Sequence, residues 1–213
     1  GCPSQPMDSL SINNETKVTF FTSGSTGQAK AIVKTFSQLQ TEVSCLETSF
    51  GSKVQDTVFL STVSHQHIYG LLFKVLWPIV KGHGMVCQAF EYPEHIVNHI
   101  VAHGVDKVTL VGSPAHLHRL SLDNPLLTVK QHIDNVFSSG GPLDADKNID
   151  LQQQLTCNLI EVYGSTETGG IAWRQRDSIT DDIWHTFSGV SVAYQANSDL
   201  LLLSSPYIQQ NQF

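Results

Sequence analysis

Residues 22–30 read Thr-Ser-Gly-Ser-Thr-Gly-Gln-Ala-Lys, a run of hydroxyls and glycines followed by one lysine. Glycine lets backbone N–H groups converge on an anion, serine and threonine add donors without bulk, and a lysine neutralises charge. Those are the parts of a phosphate grip. The run is not a Walker A loop, because no G-x-x-x-x-G-K-[ST] occurs, and it lacks the G-x-G-x-x-G of a dinucleotide fingerprint. Read alone, it is equally a hairpin turn rich in small residues.

A second cluster, Tyr163-Gly164-Ser165-Thr166-Glu167, puts an aromatic ring, hydroxyls and a carboxylate within five residues. It follows a predicted strand, and open α/β sheets bind ligands beyond the carboxyl ends of their strands. Such a set suits stacking on a base, contact with a phosphate and coordination of Mg2+. The plainer alternative is a turn with a capping Ser or Thr and an incidental Glu.

The elements that must position these clusters alternate along the first three quarters of the chain. Short β-rich runs are expected at Val18–Thr22, Ala31–Lys34, Thr57–Ser61, Met85–Gln88, Lys107–Val111, Asn135–Ser139 and Asn158–Val162. Between them, Phe36, Leu39, Val43, Leu46 and Phe50 repeat at helical spacing. Tyr69–Val80, Pro93–His103, Ser113–Leu122 and Asp144–Leu155 also read as helices. Strands alternating with helices imply an α/β fold, a mainly parallel sheet flanked by helices. Past Gly170 the texture changes to short strands at Ile171–Arg174, Val190–Ala193 and Leu200–Leu203, expected as antiparallel hairpins. We therefore divide the chain into a lead-in (1–16), an α/β unit (17–170) and a β-rich segment packed on it (171–213).

Composition narrows the partners. The 213 residues carry a net charge of −7 with scattered Lys and Arg, which argues against a nucleic-acid partner. The apolar run Leu71–Val80 is broken by Lys74 and too short to span a bilayer. Cys2, Cys45, Cys87 and Cys157 show no metal-ligand spacing and read as free thiols, which with the lack of a signal-peptide pattern gives a cytoplasmic expectation. Oligomeric state is not legible.

Taken together the clusters resemble the adenylate-forming superfamily, which includes acyl-CoA synthetases, aryl-acid ligases and luciferases. Its phosphate loop, [ST]-S-G-[ST]-T-G-x-P-K, is matched by Thr22–Lys30 with Ala29 in place of Pro, and its Y-G-x-T-E signature by Tyr163–Glu167. His65–Gly70 is similar to the family's H-x-x-G segment, and Ser138–Leu143 to its S-G-G-x-P-L turn. Phe187–Val190 and Leu200–Pro206 resemble two later segments, so the likeness runs from about residue 17 onward.

The resemblance implies the large N-terminal domain of an acyl-CoA synthetase-like fold. It also implies activation of a carboxylic acid by ATP, with transfer to a thiol such as CoA or an acyl carrier protein. By it, Thr22, Ser23, Gly24, Ser25, Thr26, Gly27 and Lys30 hold the β- and γ-phosphates, Thr166 meets the α-phosphate and Glu167 coordinates Mg2+. Tyr163 stacks on adenine, Gly140 and Gly141 give the base room, and Glu161, Val162 and Gly164 line the same wall. His67, with a catalytic role, and His65 belong to the acid side, joined by Ser113 and Pro114. A histidine between an apolar strand and a helix is as readily structural.

The family's T-G-D segment and its small C-terminal lid domain, with an assisting lysine, have no match. The expectation is an excised or reduced piece, weak in ATP binding and nearly inactive alone. The alternative is a non-catalytic nucleotide- or acyl-binding module derived from such a ligase. An unrelated phosphate-loop hydrolase or kinase lacks the required motifs.

Overall fold

The computed structural model describes residues 12–23, 29–120, 124–194 and 201–208. Its centre is a seven-stranded sheet of order β4-β3-β5-β6-β7-β8-β9. Strands β3 (Val58–Ser61), β4 (Gly84–Ala89), β5 (Val108–Gly112), β6 (Ile133–Ser138) and β7 (Asn158–Ser165) run parallel. β8 (Gly169–Gln175) and β9 (His185–Thr186) add antiparallel. Two separate pairs complete the β structure: β1 (Lys17–Ser23) with β2 (Ala29–Thr35), and β10 (Ser191–Tyr194) with β11 (Leu201–Ser204). The mainly parallel sheet with antiparallel strands at the C-terminal end is the expected class.

Consecutive residues of the central strands serve opposite layers, as the two-residue strand period demands. Phe59, Val111, Phe137 and Ile160 point to one face, while Leu60, Leu110, Val136 and Leu159 point to the other. The first face is covered by α1 (Phe36–Phe50) and by a helical run made of α2 (Ile68–Gly70), a π-helical stretch Leu71–Leu76 and α3 (Trp77–Lys81). The second is covered by α4 (Pro93–His103), α5 (Pro114–His118), a 3-10 stretch Pro125–His132 and α6 (Ala145–Leu155). Strands buried on both sides explain why each reads as a near-continuous apolar run.

Helix α1 starts where Thr35 closes a capping box with Gln38. The Gln38 N–H donates to Thr35 Oγ1 at 3.2 Å, and the Thr35 N–H donates to Gln38 Oε1 at 2.8 Å. The helix then carries Phe50 into the middle of an aromatic cluster. Its ring lies 5.1 Å from Phe137, 5.2 Å from Trp173, 6.0 Å from Phe187 and 6.3 Å from Trp77. Trp77 donates its indole N–H to Glu47 Oε2 at 2.7 Å, which anchors α3 to α1.

Differences from the sequence reading are local. The helix expected over 113–122 ends at His118, and residues 121–123 lie outside the described ones. Strand β7 continues past Val162 to Ser165, and the 3-10 stretch and β9 carry too weak a period to be read. The expected helix from Tyr69 holds a π-helical stretch, in which the Trp77 N–H reaches back to the Leu72 carbonyl.

Phe50 is fully buried, whereas Phe21 is 70% exposed. Phe50→Ala is therefore expected to lower unfolding stability by about 3–5 kcal/mol. Phe21→Ala is expected to change it by no more than ~0.5 kcal/mol. Urea unfolding followed by tryptophan fluorescence measures both.

Candidate active site

The two clusters meet. The β1–β2 register pairs Thr22 with Lys30, and Thr22 Oγ1 donates to the Lys30 carbonyl at 3.4 Å. Residues Gly24, Ser25, Thr26 and Gly27, the expected grip, lie outside the described residues, as does the side chain of Ser23. Lys30, Ile32 and Lys34 share one face of β2 by the strand period, and that face looks toward the β7–β8 turn. At its rim Lys30 Nζ lies 3.3 Å from Glu167 Oε1. At its base the buried Lys34 donates to the Glu167 carbonyl at 3.1 Å and to the Tyr207 carbonyl at 3.3 Å.

Thr166 and Glu167 occupy the turn between β7 and β8, whose shape needs two glycines. A Cβ on Gly164 would lie 2.3 Å from the Gly169 carbonyl oxygen, and Gly169 has φ +69°. The pairing also slips by one residue between Tyr163 and Gly164, a bulge that re-aims the turn. Ser165 and Thr168 exchange hydrogen bonds of 3.0–3.2 Å that close it.

Burial pushes the Glu167 carboxyl up, but its own backbone N–H, Lys30 and Ser165 together bring it below the ordinary value. Burial lowers Lys34, partly offset by Glu42 and Glu167. Burial raises Glu42, partly offset by the Gly170 N–H, which donates to its Oε1 at 2.6 Å, and by Lys34.

Two cavities open at the carboxyl ends of the parallel strands, back to back across the end of β7. The smaller, ≈ 610 Å³, lies past β3, β5 and β6, lined by Thr62, Val63, His67, Ser113, His116 and Ser139 among others. His67 therefore joins it, whereas His65 and Pro114 are not among its lining residues. Ser113 Oγ lies 2.8 Å from His116 Nδ1, and burial, then Arg119, lowers the His116 imidazole.

The larger cavity, ≈ 1310 Å³, is bounded by Gly141, Tyr163, Arg174 and Trp184 and by the β10–β11 pair. Gly140, Val162 and Gly164 border both cavities. The Tyr163 ring, 56% exposed, meets Trp184 edge-on at 5.8 Å, and Arg174 sits 4.2 Å over the Trp184 ring.

Glu161 borders the larger cavity with its carboxylate already committed. Arg174 grips it with two bonds of 2.9 and 3.0 Å, Arg176 adds one of 3.2 Å and Asn148 one of 3.0 Å. Its part is to hold Arg174, and through it Trp184. Trp184, Arg174 and Glu42 are not among the residues that the sequence analysis proposed for the site.

Among the described residues, no group of three or more His, Cys, Asp or Glu converges as a metal cage. Mg2+ is commonly held by one or two carboxylates plus substrate phosphates, so the lone ionised Glu167 fits a cation carried in with a nucleotide.

A family model described as AMP-binding enzyme matches residues 5–194. A nucleotide-sized cleft at the carboxyl ends of a parallel sheet, with a lysine and a carboxylate paired at the adjoining β7–β8 turn, defines the class; the chain belongs to the AMP-binding enzyme family. It is 28% identical over 186 residues to a 4-coumarate–CoA ligase of Cereibacter sphaeroides, covering 86% of this chain and 43% of that protein. It is 24% identical over 153 residues to a 3,4-dihydroxybenzoate–[aryl-carrier protein] ligase of Bacillus anthracis, covering 71% and 35%. In fold it is similar to ATP-bound MatB from Rhodopseudomonas palustris (TM-score 0.72, 21% identity, covering 89% of this chain and 39% of that one). It is also similar to MenE from Bacillus subtilis in complex with AMP (TM-score 0.74, 17% identity, 93% and 43%). The chain spans less than half the length of these relatives.

A carboxyl whose value is lowered on folding stabilises the fold above the ordinary carboxylate range and loses that contribution as pH falls through the lowered value. Replacing Lys30 by Met is expected to raise the Glu167 titration toward the ordinary value, read by NMR on a labelled side chain. Lys34→Met removes the side-chain donor to the Glu167 carbonyl and one of the two to the Tyr207 carbonyl, and is expected to lower stability by about 1–3 kcal/mol in urea unfolding.

Proposed function

We propose that this chain is the nucleotide-binding part of an ATP-dependent ligase that activates a carboxylic acid as its adenylate. The observation that carries the reading is the 3.3 Å approach of Lys30 Nζ to Glu167 Oε1 between residues 137 positions apart. It brings a phosphate-type cation and a metal-type carboxylate together at the turn that adjoins both cavities. Within this reading, residues 17–170 form the ATP-binding unit and 171–213 the β-rich segment packed on it.

A carboxylate attacking a polyphosphate meets like charge, so the protein's task is alignment and screening. An acid oxygen bonds to the α-phosphorus, the bond to the bridging oxygen breaks, and pyrophosphate leaves with that electron pair. Lys30 turns from Glu167 to the leaving phosphates, aided by Thr22, Ser23 and the Gly24–Gly27 donors. Thr166 holds the α-phosphate oxygens, and Glu167 is the residue that would hold Mg2+, which would screen phosphate charge.

Adenine lies in the larger cavity against Tyr163, Gly140 and Gly141, with Trp184 as the second aromatic. The acid enters the smaller cavity, where His67 and Ser113 flank it. The acceptor in the whole protein is a thiol, since the relatives' names divide between CoA and a carrier protein.

Acid-dependent ATP–pyrophosphate exchange by the full-length protein tests the reading. Glu167→Gln and Lys30→Ala are each expected to lower kcat by about 10²–10³-fold, the scale of losing one charge-stabilising group. Absence of exchange across a panel of aliphatic and aromatic acids overturns it.

A further inference from the structure

A third cavity, ≈ 310 Å³, shares two lining residues, Thr62 and His116, with the smaller of the two cleft cavities. It lies between the start of α4 and α5, with the buried Leu110, Leu117 and Leu126 among its walls and Glu91, Tyr92 and Arg119 exposed along its rim. A side chain that lines two cavities has open space on either side of it. Thr62 and His116 are therefore the partition between them.

The partition stands at the end of the smaller cavity away from the reacting atoms. Thr166 lines that cavity beyond β7, whereas Thr62 follows β3 and His116 sits on α5 after β5, and β6 separates β5 from β7 in the sheet. In the proposed reaction the carboxylate of the acid lies beside Thr166, so its other end points toward His116.

The two partition residues are fixed in different ways. Thr62 prolongs β3, its N–H donating to the Val111 carbonyl at 2.9 Å, so it belongs to the end of the sheet. His116 is a half-buried side chain held by Ser113, whose Oγ lies 2.8 Å from its Nδ1. Among the described residues no lysine or arginine lines the smaller cavity, and burial, then Arg119, lowers the His116 imidazole. An uncharged tail suits this end better than a second carboxylate.

We propose that His116 limits the length of the acid: its imidazole, pinned by Ser113, ends the smaller cavity, and removing it admits a longer alkyl tail to the space beside Leu117 and Leu126. The proposal rests on the ligase reading for where the carboxylate lies. Apolar pockets discriminate by fit, about ten- to two-hundredfold for one methylene too many or too few.

The test uses the full-length protein and straight-chain acids from butanoate to dodecanoate, with Kd from calorimetric titration and kcat/KM from pyrophosphate exchange. In the unaltered protein both measures are expected to worsen beyond a definite chain length. His116→Ala is expected to move that break to longer acids, raising kcat/KM for the first excluded acid by about tenfold or more relative to butanoate. His116→Phe, which loses the bond to Ser113 and keeps the bulk, is expected to leave the break in place. His116→Ser also empties the partition and repeats the measurement if the alanine variant unfolds. A general structural defect would lower all acids alike and leave the break where it was.

An unmoved break in the variants that empty the partition, a break moved as far by His116→Phe as by His116→Ala, no break in the unaltered protein, or binding of none of the acids overturns the proposal. A break in Kd that moves with the size of residue 116, without exchange for any acid, supports the length limit and overturns the ligase reading.

Discussion

Two lysines on one face of one strand end on one glutamate, and the geometry of the site follows from that clamp. The β1–β2 pair shares no backbone ladder with the seven-stranded sheet. Two-stranded ribbons are marginal by themselves. What fixes this one is its inward face. Phe20 and Ile32 enter the core beside α1, and Lys34 reaches beneath the turn to the carbonyls of Glu167 and Tyr207. Burying that ammonium is unfavourable in itself, and Glu42 on α1 supplies the opposite charge that makes it tolerable. Gln38, having capped its own helix, donates to the same Tyr207 carbonyl at 3.0 Å, so hairpin, helix and turn converge on one knot.

The same knot sets the partition between the two cavities. Because side chains alternate along β7, Ile160 faces the α1 layer while Glu161, one residue on, meets Asn148 of the α6 layer. At the strand's end the alternation leaves Val162 and Gly164 as a thin wall bordering both spaces. In the proposed reaction the acid and the α-phosphate approach from opposite sides of that wall, over Thr166. A side chain at Gly164 would collide with the Gly169 carbonyl and push β7 and β8 apart at this wall.

The two stretches to which the proposal gives phosphate and base, Thr22–Lys30 and Tyr163–Glu167, stand out locally by composition, and the strands beside them by apolar runs. Glu42 was legible in principle. It falls three residues after Leu39 and four before Leu46, inside the apolar stripe of α1, where a carboxylate is out of place unless paired. Reading the stripe by its apolar members alone passed over it. Lys34 shares the inward phase of Ile32, a signal of the same kind. Arg174 was not legible, because its position over Trp184 depends on Glu161 and Asp182 converging from different elements.

The two ion-pair systems bordering the cleft divide the labour of holding and yielding. Arg174 and Glu161 are 9% and 5% exposed, bonded twice to each other and tied to Arg176 and Asp182. Removing one member of such a buried set strands a charge in low dielectric, so it is suited to carrying fixed geometry. Lys30 and Glu167 are 62% and 29% exposed and joined by a single contact. Exposed pairs of that kind are worth about 0–1 kcal/mol, so parting them for a phosphate on one side and a cation on the other takes little free energy. A site that must trade one set of charges for another needs a weak pair at its rim and a strong one behind it, and the burial of the four side chains sorts them in that order.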